Sequence, residues 1–209
     1  MFTGIIDHQA QIIQIKTQQQ SLHLTVQTKY LDLVEGESIA VNGVCLTAVS
    51  PEQGLFHCDI SPETLQISNL INLAVGHSVN VERAMRLNDR MGGHFVSGHI
   101  DQTCKINQIK KLDNYIEYTF EGIHSEAQQY FLKKGSVAIN GVSLTINELT
   151  QNGFKVMLIP HTLSVTNLSQ YQIGDDVNIE YDLFVKIMVN QISQRFNLIR
   201  NSNEPSFSH

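Results

Sequence analysis

Apolar and polar residues alternate with period two along Leu22-His23-Leu24-Thr25-Val26 and again along Val79-Asn80-Val81-Glu82. That period places every second side chain on one face, so both stretches predict half-buried strands. Residues 38–41 and 44–49 flank Asn42-Gly43, the dipeptide that best supports a two-residue hairpin turn with positive φ at both central positions. Asn140-Gly141 predicts the same turn later in the chain. In the first hairpin Cys45 and Thr47 share one face while Val44 and Leu46 take the other; Ser143 and Thr145 match them in the second. Several short strands separated by turns predict small closed antiparallel barrels, which leave no sheet edge exposed.

Two stretches have a helical period instead. Ser125-Glu126-Ala127-Gln128 reads as a capping box, opening a helix through Tyr130 and Leu132 that stops near Gly135. Residues 28–34 are its looser counterpart earlier in the chain. From Val185 to Ile199 the apolar positions Val185, Met188, Val189, Ile192, Phe196 and Ile199 recur every three or four residues. This predicts an amphipathic helix of about fifteen residues. Its apolar stripe needs cover, either from its own barrel or from copies of itself in an oligomer. Residues 201–209 are polar and predict a disordered tail.

The elements occur twice. Asn42-Gly43-Val44-Cys45-Leu46-Thr47 returns 98 residues on as Asn140-Gly141-Val142-Ser143-Leu144-Thr145. The same offset carries Pro62, Thr64, Leu65, Asn69, Leu70, Gly76, Asn80 and Glu82 onto Pro160, Thr162, Leu163, Asn167, Leu168, Gly174, Asn178 and Glu180. About eighteen of some forty-five positions are identical without a gap. Gly4-Ile5-Ile6-Asp7 resembles Gly98-His99-Ile100-Asp101 at an offset of 94. Two copies of this size form a duplicated domain, not a solenoid. The expected division is 1–97, 98–184 and a terminal helix with tail at 185–209, the chain crossing between domains near Gly92-Gly93.

Composition narrows the function classes. The chain has 209 residues, 42% hydrophobic and 16% charged, with a net charge of −6. That balance suits a soluble globular protein and gives no clustered basic surface for nucleic acid. No apolar run is long enough to span a membrane, and the first residues lack a signal-peptide pattern, so a cytoplasmic location is expected. Cys45, Cys58 and Cys104 are odd in number and form no C-x-x-C pair, so reduced thiols are expected. His94 and His99, read on a strand, point to opposite faces, and no matching ligand set supports a metal.

Met1-Phe2-Thr3-Gly4-Ile5-Ile6, the paired Asn-Gly-x-[Cys/Ser]-Leu-Thr segments and Gly92-Gly93-His94-Phe95-Val96-Ser97-Gly98-His99-Ile100 together resemble the riboflavin synthases of the homotrimeric α-subunit type. The resemblance covers essentially the whole chain. It implies an all-β fold of two similar six-stranded antiparallel Greek-key barrels, each binding a lumazine, plus a C-terminal helix joining three subunits. The implied activity is that of a transferase. Two 6,7-dimethyl-8-ribityllumazine molecules dismutate by four-carbon transfer to riboflavin and a ribitylamino-pyrimidinedione, without metal or redox cofactor. A lumazine synthase partner is left open. The chemistry suits a duplication: two like rings must meet in one orientation, which converts an improbable encounter into an effectively unimolecular step.

Carried over by the resemblance, the first pocket uses Gly4, Ile5, Ile6, Ser38, Cys45, Leu46 and Thr47 with Asp59, Ile60, Ser61, Pro62, Glu63 and Thr64. The second uses Gly98, His99, Ile100, Lys134, Ser143, Leu144 and Thr145 with Met157, Leu158, Ile159, Pro160, His161 and Thr162. His99 is the implied acid/base, since imidazole titrates near neutrality. Ser38 and Cys45 are implied to assist addition at the first ring. Thr145 and Asp182 match positions implicated at the second.

Structural readings stand beside these. Cys45 can be a small buried hydrophobe, and His99 a structural histidine. Asp182, at a strand-to-helix junction, can cap the terminal helix. The rival function is a lumazine- or flavin-binding antenna protein without catalysis. A flavin reductase barrel is disfavoured, because no G-x-G-x-x-G opens a βαβ unit.

Overall fold

The computed structural model describes residues 1–202, with side chains to Arg195; the side chains of the expected helix positions Phe196 and Ile199 lie outside the described residues, as does the expected tail from 203 on, while 201–202 are still helical. In the first half, β1 (His8–Gln18), β2 (Ser21–Gln27), β3 (Ser38–Val41), β4 (Val44–Thr47), β5 (Val49–Glu52), β6 (Leu55–Ile60) and β7 (Ser78–Arg83) form one antiparallel sheet in the order β4-β3-β7-β1-β2-β6-β5. In the second, β8 (Gln102–Leu112), β9 (Tyr115–Glu121), β10 (Ser136–Ile139), β11 (Val142–Leu149), β12 (Gly153–Leu158) and β13 (Asp176–Tyr181) close a barrel in the order β10-β11-β12-β9-β8-β13. The all-β duplication is as expected.

The strand counts differ for a local reason. β11 runs unbroken to pair with β12, whereas its counterpart is interrupted at Ala48 and bends at Ser50 (φ 43°) into β4 and β5. The two ends of the first sheet are therefore successive pieces of one strand. Both long first strands carry a bulge at the matching place, between Ile12 and Gln14 and between Ile106 and Gln108; bulges increase local twist and help a sheet curl. The Asn-Gly turns form as the dipeptide requires, with φ of 46° and 80° in the first and 45° and 81° in the second.

The helical expectations need correction at two points. Residues 125–130 form a 3₁₀ helix, not a capped α-helix; Ser125 is not its cap, and the Gln128 side chain donates to the Gln151 carbonyl (2.7 Å) instead of closing a capping box. Residues 28–34 form no helix. There the Lys29 N–H is taken by His8 Nε2 (3.0 Å), and Tyr30 N–H is directed at the Thr28 hydroxyl (3.4 Å), so side chains compete for the donors a helix needs. The terminal helix α3 (Leu183–Ser202) is longer than expected. No described helix is long and apolar enough to cross a membrane.

Each half has its own core, centred on Ile12, Leu24, Phe56 and Val81 in the first and on Ile106, Phe120, Phe154 and Ile179 in the second. The entry segments are exchanged between them. Ile6 packs in the second core and Ile100 in the first. Each apolar side chain so buried is worth roughly 1.5–3 kcal/mol. Phe2 and Val96 bridge as a short antiparallel pair and pack with Ala40 and Ala138. Contact between the arms thus lies at Phe2 and Val96, beyond Gly92-Gly93.

The halves are also joined by six buried asparagines, three from each copy. The Asn178 side chain accepts from Asn69 N–H (2.6 Å) and donates to the Asn42 carbonyl (2.8 Å). Asn80 does the equivalent with Asn167 N–H (2.8 Å) and the Asn140 carbonyl (2.9 Å). Gly43 and Gly141 stack back to back at this joint: a Cβ on Gly43 would fall 2.6 Å from Gly141 N.

Candidate functional site

Two hairpins, β3–β4 and β10–β11, carry the small polar pairs. Cys45 and Ser143 are half-buried and Thr47 and Thr145 exposed, while Val44, Leu46 and Val142 point inward. Ser38 is paired with Thr47 and Ser136 with Thr145. Against each hairpin lies an arm. The Gly98 carbonyl accepts from Cys45 N–H (2.8 Å), and the Gly4 carbonyl accepts from Ser143 N–H (2.8 Å). This corrects the expected pairing: Gly98-His99-Ile100 belongs with the Cys45 hairpin, and Gly4-Ile5-Ile6 with the Ser143 hairpin. The cause is the exchange of Ile6 and Ile100 between cores, which local sequence does not encode.

The arms approach so closely that only glycine fits. Gly4 and Gly98 have φ of 74° and 84°, and a Cβ on either would lie 2.6 Å from Ser143 Cβ or 2.5 Å from Cys45 Cβ. Each is anchored by a buried carboxylate. Glu82 accepts from Thr3 N–H (2.6 Å), Thr3 Oγ1–H (2.7 Å) and Gly4 N–H (3.0 Å). Glu180 accepts from Ser97 N–H (2.6 Å), Ser97 Oγ–H (2.7 Å) and Gly98 N–H (2.9 Å).

Burial pushes the Glu82 carboxyl up to about 6, against the lowering effect of its Thr3 and Gly4 donors. Its folded value is above the ordinary 4.5, so its stabilising contribution is complete below that value and lost as pH rises through about 6. The unfolding free energy of the wild type minus that of Glu82→Gln should fall by about 2 kcal/mol between pH 4.5 and 7. Urea titrations of both proteins across that range check this; parallel curves would show that the carboxyl is not shifted.

The remaining expected residues divide by exposure. Leu46, Ile60, Leu158, Ile6 and Ile100 are buried in the cores and can offer a ligand only backbone groups. Ile5, Asp59, Ser61, Pro62, Glu63, His99, Ile159, Pro160 and His161 are exposed; Thr64, Leu144, Met157 and Thr162 are half-buried. Ser61 caps the short helix α1 (Pro62–Ile67) by accepting from Thr64 N–H (3.2 Å). Its counterpart Ile159 cannot, so α2 (Pro160–Val165) starts without a side-chain cap. Lys134 sits on an exposed turn with φ 70°, in line with Gly36 of the first copy (φ 81°). Asp182 caps α3, accepting from Phe184 N–H (2.9 Å).

His99 lies on no strand, contrary to the expectation, because the anchored arm replaces a ladder there; it is exposed whereas His94 is buried, so the two do not converge. His94 was not among the expected site residues. Its Nδ1 meets Ser143 Oγ at 2.7 Å. Burial lowers its pKa, partly offset by the Asp182 charge, so a neutral imidazole faces that hydroxyl and can exchange a proton with it. Its position beside the Gly92-Gly93 pair was the one available clue.

Two clefts of similar size open on the surface, and only the first borders an arm. One, of ≈620 Å³, is lined by Thr3, Ile5, Glu82, Arg83, Arg86 and Gly92, among others. The other, of ≈610 Å³, lies between residues 69–78 and 170–176 and contains none of the expected site residues. The hairpin faces bearing Thr47 and Thr145, the arm residue His99 and Ile159 before α2 are exposed in the single chain.

The lumazine binding domain family matches twice, at residues 3–84 and 97–182. The chain is 44% identical over 190 residues to a riboflavin synthase of Bacillus subtilis (strain 168), covering 90% of this chain and 88% of the relative. It is 41% identical over 207 residues to a riboflavin synthase of Actinobacillus pleuropneumoniae, covering 98% and 94%. A crystal structure of LumP complexed with 6,7-dimethyl-8-(1′-D-ribityl)lumazine superposes with a TM-score of 0.78 at 23% identity, covering 87% of this chain and 99% of that one. That likeness concerns the fold. With its two matched domains and these full-length relatives, the chain belongs to the riboflavin synthase family.

Proposed function

We propose that the protein is a transferase that dismutates two molecules of 6,7-dimethyl-8-ribityllumazine, giving riboflavin and 5-amino-6-(ribitylamino)pyrimidinedione by four-carbon transfer. The observation that carries the reading is the pair of matched hairpin sites with unlike arms: His99 beside Cys45, and Ile5 beside Ser143. Two like rings need two like cradles, and a donor and an acceptor need the cradles to differ. The repeats 1–97 and 98–184 supply one site each, with residues exchanged through the arms.

The ring edge meets backbone and hydroxyl groups at Thr47 and Thr64 in one site and at Thr145 and Thr162 in the other. His99 takes a proton from the acidic methyl group of one lumazine, and the Cys45 thiol and Ser38 hydroxyl assist addition at the electrophilic carbon beside it. His94 holds the Ser143 hydroxyl. Because the lumazine methyl is itself acidic, orientation contributes most of the rate. The open hairpin faces and the exposed Ile187, Met188 and Ile192 of α3 support a homotrimer in which one subunit's first site faces a neighbour's second, the terminal region 185–209 holding the subunits together. Lumazine synthase remains a further partner to test. Three thiols without a disulfide suit a cytoplasmic location.

Incubation of the purified protein with the lumazine alone should yield one riboflavin for every two lumazines consumed, followed by riboflavin fluorescence. His99→Ala should lower kcat by about 10²–10⁴-fold, the usual worth of a positioned acid or base, and Cys45→Ser by less. Tight binding with the lumazine unchanged would favour the antenna reading instead.

A further inference from the structure

Both arms are tied down by the same chain of bonds. Beyond the three bonds each carboxylate accepts, the Thr3 hydroxyl accepts from Ile5 N–H (3.2 Å), and the Ser97 hydroxyl accepts from His99 N–H (3.3 Å). So Glu82–Thr3–Ile5 and Glu180–Ser97–His99 are two copies of one relay, each leading from a strand interior to the residue that differs between the sites. Each relay also spans the two halves. Glu180 stands on β13 of the second barrel, yet the arm it holds lies on the Cys45 hairpin of the first; Glu82 stands on β7 of the first, and its arm lies on the Ser143 hairpin of the second.

A carboxylate is a costly way to fill a barrel strand, since burying a charge is unfavourable unless it is fully hydrogen-bonded. Here both are 5% exposed or less, and among the described residues every hydrogen-bond donor to them is on the arm. The bonds hold no neighbouring strand and cap no helix. Their geometric effect is to fix the arm at Gly4 and Gly98 and so to set where the backbone of Ile5 and His99 leaves it. A side chain that must meet a reacting atom needs its backbone fixed to within about half an ångström.

We propose that Glu180 and Glu82 are positioning residues: Glu180, through Ser97, places His99 at the Cys45 site, and Glu82, through Thr3, places Ile5 at the Ser143 site. The inference rests on the proposed dismutation for its kinetic consequence, but not for its geometric one. Glu180→Gln keeps the shape and replaces one acceptor oxygen with an NH2 group, which cannot accept from the arm and turns a donor toward one. Ser97→Ala removes only the hydroxyl link and is the milder change. Glu82→Gln and Thr3→Ala are the matched controls on the other arm.

In the full-length protein, Glu180→Gln and Ser97→Ala should lower kcat at least tenfold while lumazine KM stays within a few-fold. Glu82→Gln and Thr3→Ala should raise KM more than they lower kcat, because Ile5 carries no proton-transfer group. The imidazole NMR resonances of His99 should shift in the first pair and not in the second, a readout independent of turnover. Equal kinetic losses in both pairs that track their loss of thermal stability would show that the carboxylates are merely structural and overturn the proposal. So would an unmoved His99 resonance in Ser97→Ala. If the wild type makes no riboflavin yet the His99 resonances shift as stated, the positioning stands and the dismutation reading falls.

Discussion

Gly98→Ala should abolish nearly all riboflavin formation and lower the melting temperature by several degrees. Two costs add. At φ 84° an L side chain is strained, by about 1–2 kcal/mol. The new methyl would also sit 2.5 Å from Cys45 Cβ and 2.9 Å from Cys45 N, and overpacking of this kind costs about 1–3 kcal/mol. The arm can escape only by breaking the Cys45 N–H to Gly98 carbonyl bond, which moves His99 away from its hairpin. Gly76→Ala is the control, because Gly76 has φ 93° with nothing within 4 Å of the added Cβ. It bears the conformational cost alone and should keep its activity. Activity assays and thermal melts on both variants test the argument; equal effects would mean that strain, not the close approach, matters at Gly98.

The second large effect is expected at the asparagine joint. Asn178→Ala removes one bond accepted and one donated, both buried and both reaching the other half. The Asn69 N–H and the Asn42 carbonyl are then left without those partners, and an unsatisfied buried group costs about 1–3 kcal/mol. A loss of about 2–4 kcal/mol follows. Asn80→Ala, its counterpart in the other copy, should cost about the same, since its bonds match in kind and length. Urea denaturation of the two single variants checks both the size and the equality. A loss below about 0.5 kcal/mol, the scale of a neutral surface change, would mean the joint contributes little.

The six asparagines show how far sequence reading reaches. All six stand out as repeated positions, Asn42 with Asn140, Asn69 with Asn167 and Asn80 with Asn178. The repeat identifies them without saying that each side chain crosses to the other copy. Glu82 and Glu180 are equally visible as a repeated pair, and equally silent about the arms they hold. His94 carries no repeat signal at all, since its environment is made by Ser143, 49 residues away. At residues 28–34 no helix forms, because the distant His8 side chain takes a backbone donor that a helix would use; at 125–130 the turn is 3₁₀ and uncapped, because the Gln128 side chain bonds outward to the Gln151 carbonyl.

Short-range physics accounts for everything legible along the chain. Period-two alternation set the strands, Asn-Gly set the two hairpins through positive φ, and the 98-residue offset set the duplication. It also placed the small polar residues on the outward face of each hairpin. Which arm serves which hairpin is settled only by long-range packing. Gly4 and Gly98 have like neighbours in sequence, and nothing local separates the two ways of docking them. The choice is made by where Ile6 and Ile100 are buried and by which hairpin N–H each glycine carbonyl meets. Those contacts join residues many tens of positions apart, and they exist only once both halves have folded.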